Sequence, residues 1–186
     1  MRELYANLAL TERALAASAL ISALLIAGAH FFERVIGLPP CILCLDQREA
    51  HWTALGVGLA GLAAAKLFQS RFGAAAGAGA LALVYAVSAG LAFYHTGVEY
   101  GYWPGPAACS GGATITDVTD LAASLTQQNE TISCADAPWR FLGASMAGYN
   151  LLISAGLFAL TFFAALSESR RVKRIRLGGG AMSGKS

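Results

Sequence analysis

The chain has 186 residues, of which 56% are hydrophobic and only 13% charged, with a formal net charge of +2. That is too apolar and too sparsely charged for an ordinary soluble domain. The positive excess comes mainly from the run Arg170 to Arg176, which reads as a cytoplasmic anchor near anionic lipid rather than a nucleic-acid surface.

Four stretches, 14–32, 50–65, 72–98 and 141–167, are free of charge or nearly so. About 20 residues cross a bilayer as helix, so three of them suffice alone. The second is too short and must borrow the residues before it, which starts its helix near Leu43 and leaves Asp46, Arg48 and Glu49 at the interface. The predicted spans are 14–32, 43–65, 73–96 and 142–166 of an all-α membrane protein, a single four-helix transmembrane bundle over 1–168. The first apolar run exceeds the ~7–15 residues of a signal-peptide core, so Ala27-Gly28-Ala29 is read as helix and not as a cleavage site.

Cys41-Ile42-Leu43-Cys44 stands where the second span begins. In the first turn of a helix this spacing holds two Cα atoms about 5 Å apart, within the range of a disulfide, and the helix N-terminal amides lower a thiol's pKa. Within the same span, Gly56-Val57-Gly58-Leu59-Ala60-Gly61 satisfies the dinucleotide fingerprint, but no strand precedes it, and close helix packing through small residues is the better reading.

Orientation follows from the basic residues, since Lys and Arg in short loops stay cytoplasmic. Arg2, Arg13, Lys66, Arg71, Arg170, Arg171, Lys173, Arg174, Arg176 and Lys185 are 10 of the 13, all on one face of a four-helix topology. Both termini are therefore expected in the cytoplasm. The opposite face carries all 4 cysteines, and disulfides persist outside the cytosol.

A long second extracytoplasmic loop, 97–139, holds Trp103, Pro104, Pro106, Cys109 and Cys134. Loops of that length are usually functional or disordered. Within it, Asp117 to Leu125 has the spacing of a short amphipathic helix, and Asn129-Glu130-Thr131 is a glycosylation acceptor pattern. The basic tail, 169–186, reads as disordered.

Around the first cysteine pair the chain reads Leu38-Pro39-Pro40-Cys41-Ile42-Leu43-Cys44-Leu45-Asp46-Gln47-Arg48; Tyr94-His95-Thr96 ends the third span, and Cys134-Ala135-Asp136-Ala137-Pro138-Trp139-Arg140 leads into the fourth. In these residues it resembles the DsbB family of bacterial disulfide-forming membrane proteins, from the first span to the fourth. The resemblance implies an inner-membrane enzyme with its redox loops facing the periplasm. Such an enzyme re-oxidises a soluble thioredoxin-fold partner, DsbA, and passes the electrons to a membrane quinone, ubiquinone or menaquinone. In that scheme a partner thiolate attacks the loop disulfide at Cys109 and releases Cys134. Cys134 attacks Cys41, and Cys44 is freed as the thiolate that engages the quinone.

Residue chemistry fits that division. Arg48 and His51 lie four and seven positions after Cys44, on one helix face, and a guanidinium favours a nearby thiolate or quinol oxygen. His95 is expected near the same depth, where it can bond a quinone carbonyl. Arg48 as an interface anchor paired with Asp46 or Glu49 is the plainer alternative. The alternative role of Cys109 and Cys134 is a staple of the loop, worth roughly 3–4 kcal/mol, but a Gly- and Ser-rich loop offers little core to staple, so exchange is the favoured reading. Other classes are a vitamin K epoxide reductase-type enzyme, in which the quinone-facing CxxC comes late in the bundle, and a non-enzymatic four-cysteine metal or structural protein. No second closely spaced pair supports zinc, so no metal is expected.

Overall fold

The computed structural model describes residues 2–109 and 133–183. Four α-helices make up most of the described residues: α1 (Arg2–Arg34), α2 (Ile42–Lys66), α3 (Arg71–Glu99) and α4 (Met146–Ser183). A 3-10 turn at Ala107–Cys109 and a small antiparallel hairpin, β1 (Arg140–Phe141) with β2 (Ala144–Ser145), complete the described part of the outer loop. The helix expected from Asp117 to Leu125 and the acceptor at Asn129 lie outside the described residues.

Helices α1, α3 and α4 are long and apolar enough to cross a membrane. Helix α2 carries Asp46, Arg48 and Glu49 in its first turns, yet its 25 residues rise about 37 Å, more than the ~30 Å of a hydrocarbon core. Apolar side chains such as Leu20, Leu24, Leu83, Leu152 and Phe163 stay exposed, as a lipid-facing surface requires. The interior is small and close-packed, with Leu15, Ala54, Ala78, Leu81, Tyr85 and Leu157 at its centre. Gly61 and Gly77 let α2 and α3 touch backbone to backbone: a Cβ on Gly77 would lie 2.8 Å from the Gly61 Cα.

Local chemistry sets the boundaries. Gly37 at φ +80 and then Pro39-Pro40 prevent α1 from running into α2. Ser70 caps α3 by accepting the Gly73 N–H at 3.0 Å. Three boundaries differ from the sequence expectation by more than three residues, the first being α1, which already begins at Arg2 and not at 14. Helix α4 begins at Met146 and not at 142, because Leu142 (φ 48) and Gly143 (φ 82) form the two-residue turn of the hairpin, both in the left-handed region. At its other end α4 continues through the stretch read as a disordered tail to Ser183; Arg170, Arg171, Lys173 and Arg174 are good helix formers that carry it past 168, whereas its course through Gly178, Gly179 and Gly180 has no such local support.

Ion pairs tie the helices at the end away from the cysteines. Lys66 reaches Glu12 at 3.1 Å, and Arg71 reaches the fully buried Glu168 at 3.1 Å. The basic residues of the short 66–71 connection thus share one end of the bundle with the start of α1 and the later part of α4.

Candidate functional site

Two aromatic clasps pull the outer loop down onto the opposite end. Trp103 lies against Gly97, where any side chain would collide with its ring, and donates its Nε1–H to the Tyr94 carbonyl at 2.8 Å. The Tyr94 hydroxyl returns to the Pro104 carbonyl at 3.0 Å. On the other strand of the loop, Trp139 packs on Phe32, Phe141 and Tyr149. These clasps bring Cys109 and Cys134 over the start of α2, where the two form a disulfide with a Cα–Cα separation of 5.2 Å.

All four cysteines meet there. Cys41, Leu43, Val98, Cys109 and Cys134 form one buried cluster, with Cys44 and Trp103 packed against it. Cys109 is 4% and Cys134 1% accessible, so this pair is buried against the bundle and not held in an exposed loop as a Gly- and Ser-rich segment suggests. Cys41 and Cys44 are free thiols whose sulfurs lie 2.8 Å apart, so closing them to the ~2.05 Å of a disulfide needs under an ångström of movement.

The surroundings that stabilise a thiolate gather on Cys41. It is the N-cap of α2, and its sulfur accepts the Cys44 N–H at 3.3 Å and faces His95 Nε2 at 3.6 Å. Hydrogen bonding by the Cys44 thiol, with further help from His95, holds the Cys41 thiol at about 5, against the opposing effect of burial. The resemblance assigns the thiolate to Cys44. The structure favours one at Cys41 in the resting dithiol, because only the capping position collects the helix amide and the imidazole.

Below the cysteines lies a cavity of about 450 Å³ with mostly apolar walls, into which Cys44, Arg48, His51 and His95 project beside Leu24, Phe32 and Ile153. Arg48 is therefore on the same cavity as Cys44, as its spacing requires. Its ion partner is Glu33 of α1, Nη1 to Oε2 2.5 Å, and neither Asp46 nor Glu49. Its Nε is buried without a hydrogen-bond partner among the described residues. His95 is buried close to the cysteines, between Cys41, Gln47 and Glu99.

Sequence reasoning missed the polar residues that hold these groups. Gln47 bonds His95 Nδ1 at 2.8 Å, Asn150 of α4 bonds Gln47 at 2.7 Å and His51 at 2.8 Å, and Glu99 accepts from Ser145. The available signal was an amide in the otherwise apolar fourth span at Asn150, and an i+3 spacing from Cys44 to Gln47.

The family model described as disulfide bond formation protein DsbB matches residues 11–164. The chain is 32% identical over 164 residues to disulfide bond formation protein B of Polaromonas naphthalenivorans, covering 86% of this chain and 95% of that protein. To the protein of the same name from Marinobacter nauticus it is 32% identical, covering 76% of this chain and 86% of the relative. To that from Vibrio vulnificus it is 33% identical, covering 73% and 77%.

Proposed function

Because the chain belongs to the DsbB family of disulfide bond formation proteins, and is thus a multi-pass membrane thiol oxidoreductase that generates disulfides, we propose that it re-oxidises a periplasmic DsbA-like dithiol protein and delivers the electrons to a membrane quinone. The observation that carries this reading is the single buried cluster joining the Cys109–Cys134 disulfide to the Cys41–Cys44 dithiol at the mouth of an apolar cavity.

In this reading both termini are cytoplasmic and the cysteine end faces the periplasm. The basic residues at the Lys66 and Arg71 end of the bundle support that orientation. Residues 1–168 act as one membrane domain.

The exchange steps balance as two-electron thiol–disulfide transfers. A partner thiolate attacks Cys109 and expels Cys134 as a thiolate; the partner's second thiolate attacks the mixed disulfide and leaves as a closed disulfide, releasing Cys109. Cys134 then attacks Cys41 of an oxidised Cys41–Cys44 pair and expels Cys44. Attack of Cys109 on the Cys134–Cys41 disulfide restores the loop pair and releases Cys41. An oxidised loop over a reduced dithiol, the arrangement seen here, is the distribution at the end of this inward transfer. Both loop sulfurs are buried in it, so the loop must lift before the next partner reaches Cys109.

The cavity suits a quinone. Its walls are mostly apolar, its volume falls in the range of small-ligand sites, and Arg48 contributes a permanent positive charge to its lining. A quinone bound there would accept two electrons and two protons as the Cys41–Cys44 disulfide forms again. Arg48 would hold it, Glu33 keeps the guanidinium in place, and Cys44 is the thiol that meets it. Extraction and identification of quinone co-purifying with the protein tests the reading; wild type should retain it and Arg48→Cys should lose most of it.

A further inference from the structure

One backbone carbonyl orders a chain of hydrogen bonds through the site. Gln47 places its Nε2 3.1 Å from the Leu43 carbonyl, which can only accept, so the NH2 group of that amide is on this side and the oxygen on the other. The oxygen takes the Asn150 Nδ2–H at 2.7 Å, which turns Asn150 Oδ1 toward His51 Nε2, 2.8 Å away. The second Gln47 N–H faces His95 Nδ1 at 2.8 Å. A nitrogen that receives an N–H is bare, so the proton of His95 is on Nε2, the nitrogen 3.6 Å from the Cys41 sulfur.

We propose that Gln47, oriented by Asn150 and the Leu43 carbonyl, is a positioning residue that locks His95 as the neutral Nε2–H tautomer and so makes it a hydrogen-bond donor to Cys41 rather than a base that removes its proton. The inference rests on the thiol-oxidase reading of the site for its purpose but not for its geometry. Two neighbours, the Cys41 sulfur and Glu99, favour added positive charge on the ring, and the Gln47 donor at Nδ1 opposes it. Cys41 and Cys44 face the ring from the start of α2, Glu99 lies 3.8 Å from Nε2 on α3, and the Cys134 backbone is within hydrogen-bonding reach from the loop. Cys41 and Glu99 can accept from Nε2–H. Gln47 addresses Nδ1 as a donor, so a doubly protonated ring would set two N–H groups against each other.

The lock has a chemical consequence. A donor on Cys41 stabilises that sulfur whenever it carries negative charge, as the leaving thiolate when the loop pair closes again and as the nucleophile that reforms the pair with Cys44. It also sets the cluster against metal capture. The ligand atoms of Cys41, Cys44 and His95 lie within 4.8 Å of one another, but a metal needs a bare Nε2, and the Gln47 amide would have to turn over and lose both the Leu43 and Asn150 bonds to supply one.

The test is nitrogen NMR of 15N-histidine-labelled, reduced protein in detergent, with no partner or quinone added, His95 being assigned by its absence in His95→Ala. Long-range proton–nitrogen correlations should show a protonated Nε2 and a bare Nδ1 across neutral pH. Gln47→Glu replaces the donor by an acceptor of the same size while keeping the Asn150 contact, and should abolish the bare Nδ1 signal of His95 while leaving the His51 pattern unchanged. A protonated Nδ1 in the wild type, or a bare one persisting in folded Gln47→Glu, overturns the lock. Should Gln47→Glu fail to fold, the wild-type spectrum decides alone. Failure of the quinone reading would leave these spectra as they are.

Discussion

Arg48 crosses from α2 to Glu33 on α1, Nη1 to Oε2 2.5 Å, and keeps its Nε buried and unpartnered beside the cavity that Cys44 also lines. The ion pair holds the guanidinium still at the cavity wall.

Arg48→Cys is therefore expected to raise the KM for quinone roughly 10- to 150-fold, the worth of one hydrogen bond from a charged donor at ~1.5–3 kcal/mol. Single-turnover exchange between partner and the loop disulfide should stay near wild type. Lys restores the charge without the planar fork, so Arg48→Lys should recover only part of the loss. Equal losses in both assays would make Arg48 a support of the fold.

The relay order predicts which sulfur is caught by the partner. A DsbA-like protein whose second cysteine is replaced by Ser can attack the Cys109–Cys134 disulfide and expel Cys134 but cannot close its own disulfide, so the adduct should accumulate through Cys109, as peptide mapping will read. An adduct mapped to Cys41 would contradict the order.

The capping position of Cys41 makes a pH prediction. With the thiol held at about 5, the reduced pair carries one thiolate at neutral pH. The sign is that of a depressed acid: the stabilisation of the reduced state is fully present above the ordinary thiol range and is lost as pH falls through about 5. Above that point, reduction of the Cys41–Cys44 pair takes up one proton per two electrons, so its midpoint potential should fall by ~30 mV per pH unit. Below it, where two protons are taken up, the slope should be ~59 mV. Ultraviolet thiolate absorbance of the reduced Cys109→Ser, Cys134→Ser protein should fall through the same pH. A single steep slope down from pH 8 would refute the assignment.

Close approach of α2 and α3 predicts a stability effect. Gly77→Ala sets a methyl 2.8 Å from the Gly61 Cα, against backbone that cannot move aside. It should destabilise the bundle by ~1–3 kcal/mol, seen as a lower thermal midpoint in detergent, whereas Gly56→Ala, with nothing within 4 Å, should be nearly neutral.

Much of the site was legible because its chemistry is local. The CxxC at a helix start, the Cys44-to-Arg48 spacing and the segregation of basic residues are all read within a turn or two of one helix. The burial of Cys109 and Cys134 was not, because it depends on Trp103 finding the notch at Gly97 and Trp139 finding Phe32 across the bundle. Glu33, Gln47 and Asn150 escaped for the same reason: their partners are 15 to 103 residues away in sequence. The hairpin at Leu142-Gly143 hid because Leu at positive φ is not a turn signal.

The most direct measurement is the anaerobic stoichiometry of the purified protein reconstituted with a reduced DsbA-like protein and excess quinone. One quinone should be reduced for each partner disulfide formed, with turnover abolished in Cys44→Ser. Partner oxidation that proceeds without quinone consumption, or that survives Cys44→Ser, would contradict that coupling.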